Sequence, residues 1–154
     1  MTVVGQNSDG LDANGNMYVS GGTVVAFGAG GAETGIDVGE QYKLNITGGN
    51  IFGIGGRIDA TLGSTSQGII SATGSVSANT SVTVSNGSST LATFVLPPYN
   101  YNNGSIMLST TGMTSGNSYT VTFGSSSQTL TASSSLSSSG MGGNMGFGGK
   151  PGGK

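Results

Sequence analysis

Hydrophobic and polar positions follow two different patterns along this chain. From residue 75 to 132 they alternate with period two in five runs: 81–85, 90–96, 105–109, 118–123 and 128–132. Such alternation gives a strand one buried and one wet face. Turn residues separate the runs: Asn86-Gly87, Pro97-Pro98, Asn103-Gly104, Ser115-Gly116-Asn117 and Gly124-Ser125. The pattern predicts an antiparallel sheet laid down hairpin by hairpin. In residues 1–74 the apolar positions instead form short runs that meet at glycine pairs. Residues 17–20 and 23–27 flank Gly21-Gly22, and residues 43–47 and 50–54 flank Gly48-Gly49. Glycine permits the backbone angles of a sharp bend.

The two halves of this upstream stretch repeat each other. Gly10-Leu11-Asp12 returns as Gly35-Ile36-Asp37, and Ser20-Gly21-Gly22-Thr23 returns as Thr47-Gly48-Gly49-Asn50. A repeat of this period predicts stacked coils of a parallel β-solenoid. Thr2-Val3-Val4-Gly5 reads as the end of a coil whose beginning is missing, so about two coils are expected. The prediction is an all-β chain in three segments: solenoid coils over 1–74, an antiparallel sheet over 75–132, and a Gly/Ser/Met-rich tail over 133–154. Ile69-Ile70, in the mixed stretch 61–74, is expected to pair with the last coil.

Composition narrows the chemistry. Gly alone accounts for 31 of 154 residues, and with Ser and Thr it makes up nearly half the chain. That bias can signal disorder, which the regular alternation argues against for most of the length. Only 6 % of residues are charged and the net charge is −2, so repulsion between copies is weak. With no Cys and no His, disulfides, thiolate sites, imidazole bases and histidine-ligated zinc are excluded. Lys43, Arg57, Lys150 and Lys154 are too few and scattered for a nucleic-acid face. No apolar run is long enough to span a membrane. The first residues lack the basic start and apolar stretch of a signal peptide.

Three groups of residues carry candidate chemistry. Asp9, Asp12 and Asp37 are half of the six acids. Stacked in register, Asp12 and Asp37 would lie about 4.8 Å apart. A cation such as calcium between them would relieve the repulsion, and turn capping by the same side chains is the plainer reading. Tyr99 and Tyr101 sit in an aromatic and polar loop that could stack on sugar rings or anchor the loop. Met141, Met145 and Phe147 punctuate the glycine tail as anchors for a groove on another subunit; the plain alternative is a flexible tail. Glu33 with Glu40, and Arg57 with Lys43, read as solvated surface rather than hydrolase or lyase machinery. Asn45, Asn79, Asn86 and Asn103 head glycosylation sequons.

The stretch Asp9-Gly-Leu-Asp-Ala-Asn-Gly-Asn-Met-Tyr-Val-Ser-Gly-Gly-Thr-Val-Val25 resembles the coil motif of bacterial cell-surface carbohydrate-binding, pectate-binding-like β-helix proteins. The resemblance covers residues 5–60 well and 61–132 loosely. It implies a parallel β-helix, calcium in the solenoid and an acidic plant polysaccharide as ligand. Two coils are fewer than the roughly three a stable stack needs, so most of such a family's binding groove would be absent. The function expected from the sequence is therefore a non-enzymatic extracellular or cell-surface structural protein. It would self-assemble into a homo-oligomer or filament through open β edges and its tail. The alternative is a calcium-dependent polysaccharide-binding module.

Overall fold

The structure, a computed structural model, describes residues 1–136. Among these the fold is all-β, with parallel and antiparallel sheets and no closed barrel. The strands are β1 (Thr2–Val4), β2 (Leu11–Ala13), β3 (Met17–Phe27), β4 (Thr34–Val38), β5 (Leu44–Gly55), β6 (Arg57–Asp59) and β7 (Leu62–Thr65). They continue as β8 (Ile69–Val76), β9 (Ser81–Ser85), β10 (Thr90–Val95), β11 (Tyr101–Ser109), β12 (Ser118–Phe123) and β13 (Ser126–Thr131).

Three sheets stack as layers. The small outer sheet runs β2-β4-β6, all parallel. The central sheet runs β1-β3-β5-β11-β8, with β7 also on β5; its first three strands are parallel. The far sheet runs β10-β9-β12-β13 and is antiparallel throughout. In the central sheet, side chains alternate between two apolar clusters. Val24, Ala26, Ile51 and Met107 pack with Ile36, Val38 and Ile58 of the small sheet. Val25, Phe27, Phe52, Ile54, Ile106 and Leu108 pack with Val82, Val84, Phe94, Val121 and Leu130 of the far sheet. A sheet buried on both faces takes continuous apolar runs, and one with a wet face takes alternating ones. The two patterns in the sequence reflect this difference in burial.

The repeated motifs lie directly against each other. Leu11 pairs with Ile36 and Asp12 with Asp37, while Val19 pairs with Ile46, Thr23 with Asn50 and Val25 with Phe52. The short runs on either side of each glycine pair belong to one bent strand, β3 or β5, whose register shifts at the bend. Gly49 has φ +88°, and a Cβ there would sit 2.8 Å from the Gly21 carbonyl carbon, so neighbouring bends stack only without side chains. At Gly35 a Cβ would approach the Ile54 backbone nitrogen to 2.4 Å, which lets the small and central sheets come close. Asn45 ties three neighbouring strands of the central sheet, β3, β5 and β7: its amide donates to the Met17 carbonyl at 3.3 Å and accepts from the Ser64 N–H at 2.8 Å.

One predicted strand lies elsewhere. The run 105–109 is not in the antiparallel sheet with its sequence neighbours. It belongs to β11, between β5 and β8 in the central sheet and antiparallel to both. Ile106, Met107 and Leu108 are consecutive and all buried, so this strand needs apolar partners on both faces and only the central layer supplies them. Ile69 and Ile70, in β8, consequently reach the parallel strands through β11 rather than directly.

Candidate functional site

The aspartates of the small sheet form a ladder. Asp12 of β2, Asp37 of β4 and Asp59 of β6 occupy successive rungs, because parallel in-register pairing sets like positions of each strand side by side. Asp9, just before β2, joins them. One carboxylate oxygen from each of Asp9, Asp12 and Asp37 lies within 4.8 Å of the others. Asp9 Oδ1 also accepts a hydrogen bond from the Thr34 N–H at 2.5 Å, which fixes it over the start of β4. Asp37 is the most constrained. Burial pushes its carboxyl above the usual carboxylate range, and the charges of Asp9, Asp59 and Asp12 push it further, with Arg57 opposing. Arg57 pairs with Asp59 at 2.5 Å and donates from Nε to the Ala32 carbonyl at 3.0 Å.

Three convergent carboxylates with one nearby guanidinium are a hard, oxygen-only donor set. Calcium takes six to eight such oxygens, so Asp9, Asp12 and Asp37 could supply part of a coordination shell. Asp59 completes the ladder but is not among the sequence candidates. Its signal was Ile58-Asp59, which echoes Ile36-Asp37 without the preceding glycine.

Tyr99 and Tyr101 line one cleft of about 290 Å³ together with Val4, Gln6, Phe27 and Ala29. They have different roles. The Tyr101 hydroxyl donates to the Ala29 carbonyl at 2.8 Å, and its ring meets Phe27 edge-on at 6.3 Å; burial raises its pKa above the usual phenol range. Tyr101 thus anchors β11 against the segment that follows β3. Tyr99 is 40 % exposed, and its hydroxyl accepts from Gln6 Nε2 at 3.3 Å. Met141, Met145 and Phe147 lie outside the described residues.

Glu33, Glu40 and Lys43 form no ion pair among the described residues. Of the sequons, Asn45 has its amide committed to neighbouring strands, and Asn103 sits at φ +51° at a bulge in β11. Among the described residues, no helix is long and apolar enough to cross a membrane.

Comparison with protein-family models, with curated proteins and with solved structures finds no match.

Proposed function

We propose that this chain is a non-enzymatic structural protein of the cell surface or extracellular space that associates with copies of itself through open β edges. One observation carries the reading. Among the described residues all three sheets are open, so each ends in strands that pair on one side only, and no Asp, Glu, Lys or Arg falls between Asp59 and Lys150. Natural sheets normally protect their edges with charge, and low charge removes the repulsion that keeps copies apart. The parallel pairing of β1, β3 and β5, and of β2, β4 and β6, supports reading the first half as a short β-solenoid, a fold that grows by adding strands to its ends. The absence of His and Cys leaves no imidazole base and no thiolate nucleophile for catalysis. Sedimentation and negative-stain electron microscopy over a concentration series test the proposal. Concentration-dependent assembly is expected, and dispersed monomers throughout would refute it.

The aspartate ladder and the Tyr99 cleft favour a second reading, calcium-dependent binding of an acidic polysaccharide, which is also what the coil motif's resemblance implies. In that reading Asp9, Asp12 and Asp37 hold the ion and Tyr99 stacks on a sugar ring. Calorimetric titration with polygalacturonate, with calcium and then with chelator, tests it. Heats that do not change when calcium is removed would count against it.

A further inference from the structure

The edges are not equivalent, and the differences point to one of them. Strands β2 and β6 carry Asp12, Arg57 and Asp59, and charge on an edge opposes pairing. Strand β1 lies beside the Met1 ammonium, which donates to the Thr23 carbonyl. Just beyond β13, Ser133 exchanges both backbone hydrogen bonds with Ile69 at the start of β8, which ties the ends of these two edges together. Strand β10 has none of these protections along Thr93–Val95. Among the described residues it pairs only with β9, its bulge lies between Thr90 and Ala92, and Val95 is 72 % exposed.

The hydrogen bonds show which backbone groups are free. The Leu96 N–H donates to the Thr80 carbonyl on the β9 side. Antiparallel pairing alternates direction at each residue, so Phe94 also faces β9, whereas the N–H and C=O groups of Thr93 and Val95 face outward. Building on the reading of the chain as self-associating, we propose that the occupant of this edge is β10 of a second copy, antiparallel and centred on Thr93. An antiparallel edge is complementary to itself about a two-fold axis, and an uncharged one meets its copy without like-charge cost. Centring on Thr93 sets the two Thr93 residues opposite each other, where the outward N–H and C=O groups of each meet those of the other beyond the bulge between Thr90 and Ala92. The two sheets then continue as one. So short an edge makes a weak dimer that depends on protein concentration.

The chain has no cysteine, which makes a single introduced one a clean reporter. In a hydrogen-bonded antiparallel pair the two Cα atoms at the centre are about 5.5 Å apart, within disulfide reach. Under mild oxidation Thr93→Cys is expected to give a covalent dimer, while Thr129→Cys on β13 is expected to stay monomeric. Thr93→Lys is expected to shift the wild-type dimerisation midpoint at least tenfold to higher concentration, and Thr129→Lys, with the same added charge, to leave it unchanged. Assembly of the wild type that Thr93→Lys does not weaken, or cross-linking at Thr129→Cys instead, would overturn this edge while leaving self-association standing. A wild type that is monomeric at every concentration would overturn both.

Discussion

Replacing Asp37 with Asn should stabilise the protein at neutral pH. Asn keeps the side-chain shape and removes one charge from the ladder. With Asp9 and Asp12 oxygens within 4.8 Å, each carboxylate pair costs about 0.9 kcal/mol at the dielectric of water. Two such pairs give about 1.7 kcal/mol before salt; at physiological ionic strength, with a Debye length of about 8 Å, roughly 1 kcal/mol remains. The pH dependence has a definite sign. Burial and the acidic neighbours raise the Asp37 pKa in the folded state above its ordinary value, so the folded chain holds the proton more tightly than the unfolded one. Its contribution is favourable below the unfolded value and is lost as pH rises through the folded one. Urea denaturation of wild type and Asp37→Asn in low salt with chelator, from acid to neutral pH, tests this. The Asp37→Asn variant should be more stable at neutral pH, and the gap should close as pH falls below the usual carboxylate range. Equal or lower stability at neutral pH would refute the claim that the ladder is electrostatically strained. Adding calcium then separates the two functional readings, since a bound ion would stabilise the wild type and reverse the order.

Four single substitutions have outcomes set by local contacts. Phe52 is fully buried, with ring centroids 6.3 Å from Phe27 and 5.7 Å from Phe94, so Phe52→Ala should cost about 3–5 kcal/mol in denaturant unfolding. Tyr101→Phe removes the hydroxyl that bonds Ala29 and should cost about 1 kcal/mol, whereas Tyr99→Phe should stay within about 0.5 kcal/mol of wild type; the same unfolding assay reads both. Gly49→Ala forces a side chain into a positive φ and against Gly21 and should lower stability by about 1–3 kcal/mol, measurable by thermal melting.

Some of this was legible in the sequence and some was not, for identifiable reasons. The offset between Gly10-Leu11-Asp12 and Gly35-Ile36-Asp37 anticipates the pairing of β2 with β4, because in a parallel stack a sequence repeat is a spatial register. The hairpins of β9 with β10 and of β12 with β13 were legible through their alternation and turn residues. The placement of β11 was not. A run of five residues shows whether one face or both will be buried only weakly, and the partners Ile54 and Ala72 of Ile106 are remote in sequence. The repeat brought Asp12 and Asp37 together as candidates, but Asp59 required the third rung to be seen. The separate roles of Tyr99 and Tyr101 depend on Gln6 and Ala29, which no local pattern connects to that loop.

The position of β11 also has consequences for how the chain folds. Its pairings join Ile51 to Ser109 and Gly55 to Ser105, closing long loops before any contact rewards them. Such nonlocal pairing places folding among the slower, millisecond-to-second β topologies. During synthesis the parallel strands β1, β3 and β5 would have to wait, half-covered, until Ser109 has been made. The central layer is therefore completed late, and the two halves of the chain are expected to become native together.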